Sequence, residues 1–359
     1  MKVFLISNMY PSKDHPSFGV FVENFVTNLK NDYGVTFVLA VIKGKRTSLL
    51  QKVLTYMYHY TEIVYRGLTS NYSLLYLHYI SHSAAPVLLV KLLTGKKLVI
   101  NAHGSDVISD NTILKINSYF IKKLVHVSDC IVVPSKYYKE VMMKKYNVTD
   151  EKIFISPSGG VNTSLFSPTQ NVRTSKELVI GYVSRIEDGK GWNVFLNAIF
   201  ILKKIINVKA VIVGDGLDKD KLLSEIKRKN IEDLVEVYGL LPQRDLPKVY
   251  NRLDVFIFPT VRLAESLGLV GLESMACGVP VIGSDIGGPS EYIEDAKNGY
   301  KFIPGNAEDL ALKIQLFDGL SSQDVLAMKK NSISTANNFQ DKLVVKKIFT
   351  KLANLLSED

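Results

Sequence analysis

Two carboxylates eight positions apart, Glu265 and Glu273, flank a glycine-bearing turn in the run Glu265-Ser266-Leu267-Gly268-Leu269-Val270-Gly-Leu-Glu273, which continues to Gly278-Val-Pro280. An apolar, strand-like segment, Val255–Phe258, precedes the run, and a helix is expected to begin just after Gly268. Backbone amides at such a helix start, around Leu267–Val270, lack intrahelical acceptors and are suited to a phosphate, with the helix dipole assisting. Glu265 stands before that start and Glu273 inside the helix, so the two can address different ends of one ligand. A carboxylate accepts two hydrogen bonds at once, which suits vicinal hydroxyls. A second constellation, Val183-Ser184-Arg185-Ile-Glu-Asp-Gly189-Lys190-Gly191, also follows a strand-like segment. Its two cations, five positions apart and separated by glycine, can surround a diphosphate. Two weaker signals lie in the first half: Ala102-His103-Gly104-Ser105-Asp106 after an apolar run, and Pro16-Ser17-Phe18-Gly19 after the first strand. A glycine turn that opens a helix lets backbone approach a phosphate or sugar closely.

Other chemistries find no pattern. Gly214-Asp-Gly216 lacks the third glycine of a dinucleotide fingerprint, and Lys190 is not followed by the Ser or Thr of a Walker A loop. The six histidines, at 15, 59, 78, 82, 103 and 126, are scattered, and no Cys/His cluster has zinc spacing. There is no Gly-x-Ser-x-Gly elbow and no Asp-x-Asp on a loop between strands. Neither a metal nor a cofactor is expected. Aromatics do not interleave with a basic run as on an RNA-binding sheet, so nucleic acid is not expected as a partner.

The elements that must position these residues alternate along the chain. Strand-like runs at Lys2–Ser7, Val35–Val41, Leu74–His78, Leu98–Asn101, Cys130–Pro134 and Ile153–Ser156 are separated by amphipathic stretches at Phe18–Lys30, Leu49–Arg66, Ala84–Leu93, Ile113–Val127 and Lys136–Lys145. The second half repeats this order, with strands at Leu178–Ser184, Lys209–Val213, Val235–Gly239, Val255–Phe258 and Pro280–Ser284. Helices are expected between and after them at Trp192–Lys204, Lys219–Lys229, Leu246–Arg252, Leu269–Ala276 and Ala307–Phe317. Such alternation predicts an α/β architecture of two doubly wound parallel sheets, with ligands at the carboxyl ends of the strands. The polar, turn-rich stretch at 167–175 reads as a linker. The expected domains are therefore 1–170, 171–335, and a terminal helix over 336–359 returning towards the first domain.

The chain of 359 residues is 47% hydrophobic and 22% charged, which excludes a disordered or collagen-like protein. Two cysteines, Cys130 and Cys277, both within apolar runs, cannot form a disulfide framework and read as buried thiols of a cytoplasmic protein. No apolar run approaches the ~20 residues needed to span a bilayer. The net charge of +9 is uneven: residues 1–170 hold 19 Lys and Arg against 10 Asp and Glu, and the remainder balances. An anionic partner is therefore expected for the first half.

Taken together, Glu265-x7-Glu273, Arg185 with Lys190, His103-Gly-x-Asp106, and Ser158-Gly159-Gly160-Val161-Asn162 before Phe166 resemble the retaining family 4 glycosyltransferases of the GT-B fold. The resemblance runs from Met1 to about residue 340. It implies two Rossmann-like domains facing each other across a cleft, with the acceptor on the first and the nucleotide sugar on the second. It implies that Glu265 binds hydroxyls of the donor sugar, with Ser266, Leu267 and Gly268 beside it, and stabilises the charge-separated transition state. Glu273 would bind the donor ribose, while Arg185, Lys190 and the amides of Leu269 and Val270 would hold the diphosphate. His103 would face the donor sugar, and Gly19 would let the first loop close over the donor. Transfer would retain the anomeric configuration and need no metal. Three positions depart from the family pattern: Phe18-Gly19 replaces paired glycines, Ser266-Leu267 replaces Gly-Phe, and Asn162 replaces Asp.

The expected activity is transfer from a nucleotide-diphosphate sugar, a UDP-sugar before a GDP-sugar, to a glycan or polyprenyl-diphosphate-linked acceptor in surface polysaccharide synthesis. Leu49–Arg66, with Leu50, Val53, Leu54, Met57, Tyr58 and Tyr60 mostly on one side and Lys43, Lys45 and Arg46 before it, fits an anionic membrane surface. Lys115, Lys122 and Lys123 add to that charge, so peripheral contact at the inner face of the cell membrane is expected. Two other classes are open: a nucleotide-sugar epimerase on the same fold, which needs no acceptor, and a basic membrane- or nucleic-acid-binding module. The module alone would be indifferent to Glu265→Ala.

Overall fold

The computed structural model describes residues 1–15, 18–104, 106–108, 115–169 and 177–357. The chain forms two compact units, Met1–Gly160 with Lys342–Asp359, and Val161–Asp341.

The first unit is a parallel sheet of β1 (Lys2–Tyr10), β2 (Thr36–Lys43), β3 (Leu74–His78), β4 (Lys97–Asn101), β5 (Cys130–Val133) and β6 (Ile153–Ile155), in the order β2-β1-β3-β4-β5-β6. Strand residues alternate between two cores, as a sheet covered on both faces requires. Phe4, Ile6, Leu75, Leu77, Leu98 and Ile100 face α2 (Leu49–Thr69), α3 (Ile80–Thr94), α4 (Ser118–Val127) and α5 (Lys136–Tyr146). Val3, Leu5, Leu74, Tyr76 and Val99 face α1 (Val20–Tyr33) and the terminal helix (Asp341–Ser357), which contributes Val345, Ile348, Leu352 and Leu355. Tyr33 and Phe349 stack there at 4.2 Å.

The second unit repeats the plan with β7 (Leu178–Val183), β8 (Val208–Val213), β9 (Val235–Tyr238), β10 (Val255–Phe258), β11 (Val281–Ser284) and β12 (Gly299–Phe302), in the order β12-β11-β10-β7-β8-β9. Its helices are α6 (Trp192–Leu202), α7 (Lys219–Arg228), α8 (Leu246–Tyr250), α9 (Leu269–Ala276), α10 (Ala307–Asp318) and α11 (Ser322–Asn337). The terminal helix Asp341–Ser357 is α12. Each sheet reverses its strand order once, beside β1 in the first unit and beside β7 in the second, which opens a crevice at the carboxyl ends of those strands.

Differences from the sequence reading are local. β12 was not expected; it is a four-residue edge strand, Gly-Tyr-Lys-Phe, too short to show a period. α3 begins at Ile80 rather than Ala84 because the Asp106 carboxylate, from a distant turn, accepts its first N–H. The sequence reading divides the chain at 170/171 and 335/336, whereas the compact units divide at 160/161 and 341/342. Val161 and Phe166 are buried in the second unit's core, and Asn251 ties down Ser167 and Thr169. The rest of the expected linker, 170–175, lies outside the described residues, as do Pro16, Ser17, Ser105 and residues 113–114. Among the described residues no helix is long and apolar enough to cross a membrane.

Candidate functional site

In the second unit β7 and β10 are hydrogen-bonded neighbours, so the loops that follow them meet although about 75 residues separate them in sequence. The Val261 N–H donates to the Gly189 carbonyl and stitches the two loops together. Lys190 Nζ donates to Glu265 Oε2 at 2.6 Å, with the two side chains only 13% and 15% exposed. Thr260 Oγ1 lies 3.4 Å from the same carboxylate oxygen. Arg185 sits at the mouth, 68% exposed, and pairs with Glu187 at 3.0 Å. Glu187 also holds Arg262 at 2.9 Å, so one carboxylate aligns two guanidinium groups.

Beyond Glu265 the chain turns at Gly268, whose φ of +76° makes it the left-handed N-cap of α9. A Cβ there would stand 2.2 Å from the Phe258 ring, so both conformation and space require glycine. The Leu267 side chain is buried in the core, leaving only its backbone to meet a ligand. Leu269 and Val270 are the first two residues of α9, where N–H groups have no intrahelical acceptor. Ser266 and Gly268 are half-buried beside them.

Glu273, about one turn into α9, is 6% exposed. Its Oε1 accepts from Gln243 Nε2 at 3.0 Å, and its Oε2 from the Tyr250 hydroxyl at 3.2 Å. Burial raises its pKa above the usual carboxylate range, and these two hydrogen bonds only partly offset the rise. A carboxyl with a raised folded-state pKa supports stability while protonated and costs stability once ionised, so the loss sets in as pH climbs beyond the ordinary Glu range. Glu273→Gln is therefore expected to melt ~2–4 °C above the parent at pH 7.5, a gain that closes towards pH 4. Parallel melting curves at both pH values would show that burial imposes no such cost.

In the first unit the corresponding crevice lies at the ends of β1 and β3. Gly19, at φ +76°, caps α1, and a Cβ on it would meet the Met9 carbonyl carbon at 2.6 Å. His103 follows β4. Asp106 Oδ1 accepts the N–H groups of His103 and Gly104, at 2.9 and 2.8 Å, and Oδ2 accepts that of Ile80 at 3.1 Å. Both carboxylate oxygens of Asp106 thus serve the backbone. Phe21 on α1 packs on the His103 ring at 4.7 Å and joins the Gly19 turn to the His103 turn. Among the described residues no group of three His, Cys, Asp or Glu could hold a metal ion.

The structure therefore brings Glu265, Lys190, Arg185 and the start of α9 together in one unit, and Gly19 and His103 together in the other. Sequence reasoning missed Glu187, Arg262, Gln243, Tyr250 and His78. The first four support residues that were found, and their roles depend on strand order. His78 had a signal, since it is the last residue of a strand-like run, but its partner is set by β3 lying beside β4.

Comparison with known proteins bears on these arrangements. The family described as Glycosyltransferase Family 4 matches residues 26–164, and that described as Glycosyl transferases group 1 matches residues 166–332. Curated relatives include a D-inositol 3-phosphate glycosyltransferase of Segniliparus rotundus, 28% identical over 49% of this chain and 41% of that protein. Another is the amylovoran biosynthesis glycosyltransferase AmsK of Erwinia amylovora, 27% identical over 62% of this chain and 55% of its own. The chain spans about half the length of these relatives. Among solved structures, Anabaena HepE in complex with UDP superposes with a TM-score of 0.78 at 18% identity, covering 99% of this chain and 100% of that one. That likeness shows the fold, GT-B.

Proposed function

Because this chain belongs to the family 4 glycosyltransferases, with a group 1 glycosyltransferase module in its second unit, we propose that it transfers a sugar from a nucleotide diphosphate to a glycan or lipid-linked acceptor. The observation that carries the reading is the Lys190–Glu265 pair at the glycine-opened start of α9. Departure of a nucleoside diphosphate develops negative charge, and Lys190, Arg185 and the amides of Leu269 and Val270 are preorganised cations and dipoles for it. Glu265 stands where it can bind sugar hydroxyls and balance the positive charge left on the anomeric carbon. Glu273, with Gln243 and Tyr250, offers hydrogen-bonding groups for a ribose. HepE was solved with UDP, which favours a UDP-sugar as the donor.

Retention at the anomeric carbon follows by a front-face route, in which the leaving phosphate accepts the acceptor's proton. Asp106 is fully engaged with backbone amides and is not available as a covalent nucleophile. Each step proceeds without a metal. The direct test is thermal shift with UDP-, GDP-, ADP- and CDP-sugars in the presence of EDTA. Stabilisation by one of them, lost in Arg185→Ala, supports the donor site and names the base; a flat response by the whole panel overturns it.

The acceptor side of the reading includes a membrane. The N-terminal half of α2 presents Leu50, Leu54 and Met57 to solvent, 68%, 56% and 61% exposed, next to Lys43, Lys45, Arg46 and Lys52. Across α2, α3 and α4 the one acidic residue, Glu62, is paired with Arg66 at 2.9 Å. Apolar side chains in a basic surround favour the interface of an anionic bilayer. The protein is expected to float with phosphatidylglycerol vesicles at low salt, and the Leu50→Asp/Leu54→Asp double variant to stay behind. Equal recovery of both proteins, or no flotation of either, removes the membrane from the reading.

A further inference from the structure

His103 does not stand alone. Its Nε2 lies 2.9 Å from Nδ1 of His78, the last residue of β3, and the two rings stack at 23° with centroids 5.1 Å apart. His78 is 1% exposed and is enclosed by Phe25, Tyr76 and Phe21. Its other ring nitrogen, Nε2, is buried with no hydrogen-bond partner among the described residues.

Those facts restrict where the protons are. Burial drives both imidazoles towards neutrality: the His103 pKa falls to about 3 and that of His78 well below its ordinary value. Two neutral rings share a single proton between the facing nitrogens. If His103 Nε2 carried it, His78 would hold its own proton on Nε2, a buried N–H with no acceptor. If His78 Nδ1 carries it, His78 Nε2 is a bare lone pair. An orphaned N–H is the rarer and costlier of the two in folded proteins.

We propose that His78 is a positioning residue that donates from Nδ1 to His103 Nε2 and so holds His103 in the tautomer protonated at Nδ1. His103 then presents a neutral N–H donor rather than a lone pair on its other edge. Its chemical complement is an oxygen acceptor such as a sugar hydroxyl or a phosphate oxygen. The residue that follows His78, at the start of α3, braces this contact. Tyr79, at φ +64°, adopts a backbone conformation that a bulky side chain rarely takes, and its ring stacks on His103 at 4.9 Å. Strain of that kind persists only where the surroundings over-determine it. The catalytic part of this inference rests on the proposed function and on the expectation from the family resemblance that His103 faces the donor sugar; the tautomer part does not.

The experiment is a long-range ¹H–¹⁵N correlation on the ¹⁵N-histidine-labelled full chain at pH 7.5 without ligand, repeated on His78→Asn and His78→Leu. His103 is expected as the Nδ1–H tautomer in the parent. It should remain so in His78→Asn, whose amide NH₂ replaces the lost donor, and shift to Nε2–H in His78→Leu. Detection of His103 as Nε2–H or as imidazolium in the parent overturns the inference without any variant, and so does an unchanged tautomer in His78→Leu. In donor turnover, His78→Leu is expected to lower kcat about tenfold with KM for the donor little changed, and His78→Asn to recover most of it. A tautomer shift with no change in kcat overturns the catalytic consequence alone. Absence of turnover in the parent counts against the donor reading and leaves the spectroscopic result to decide the tautomer.

Discussion

Glu265→Gln is expected to yield a folded protein whose sugar transfer is slower by ~10³-fold. The substitution keeps the shape of the side chain and an oxygen facing Lys190, so the loop should survive. It removes the one negative charge that balances the Lys190 ammonium, in a position where both side chains are about 85% shielded from solvent. A carboxylate there can stabilise positive charge at the anomeric carbon as the diphosphate departs; a neutral amide cannot, and such electrostatic effects are large in water-poor sites. The loss should lie in kcat, with nucleotide binding by thermal shift kept within a few-fold of the parent. Retention of transfer within tenfold would remove Glu265 from the reaction.

Lys190→Met should have the complementary signature. The ammonium is the better shielded of the unit's two candidate diphosphate cations, and its loss should weaken nucleotide binding as well as turnover, for a combined fall in kcat/KM of ~10²–10³-fold. It also strips Glu265 of its ion-pair partner, leaving the Thr260 hydroxyl at 3.4 Å as a weak substitute. Breaking a largely shielded pair costs ~1–3 kcal/mol of stability, so a lower Tm is expected here. The decisive comparison is the double variant. Groups that act as a unit lose most of their function when either is removed, and Lys190→Met/Glu265→Gln should be scarcely worse than the poorer single variant. Strictly additive losses would show that the two residues work on separate parts of the ligand and that their 2.6 Å contact is incidental.

Much of this was legible in the chain itself. The alternation of short β-branched runs with amphipathic stretches located all six strands of the first sheet and five of the second, because parallel strands buried on both faces must be apolar throughout. The glycine turn before α9 was legible because only glycine tolerates that backbone against the Phe258 ring. Glu265, Glu273, Arg185 and Lys190 were legible as candidates because they flank glycine-bearing turns that follow strand-like runs. The direction of charge was also readable: all nine units of excess positive charge lie in residues 1–170.

Other features were decided only by tertiary structure. That Lys190 meets Glu265 depends on β10 pairing with β7 rather than with β9, its neighbour in sequence. Nothing local selects that order; it is chosen by which helix faces find cover on which side of the sheet. The same holds for His78 and His103, which meet because β3 and β4 are adjacent and in register, His78 opposite Asn101. The apolar side of α2 fitted a membrane surface in sequence, and packing decided which of the helix's residues turn inward, burying His59, Ile63 and Gly67 and leaving Leu50, Leu54 and Met57 outward. Local pattern thus determined which elements form and which residues end them, since those depend on backbone propensity and periodicity. The partner each residue meets depends on strand order, a property of the whole sheet that no short stretch of sequence contains.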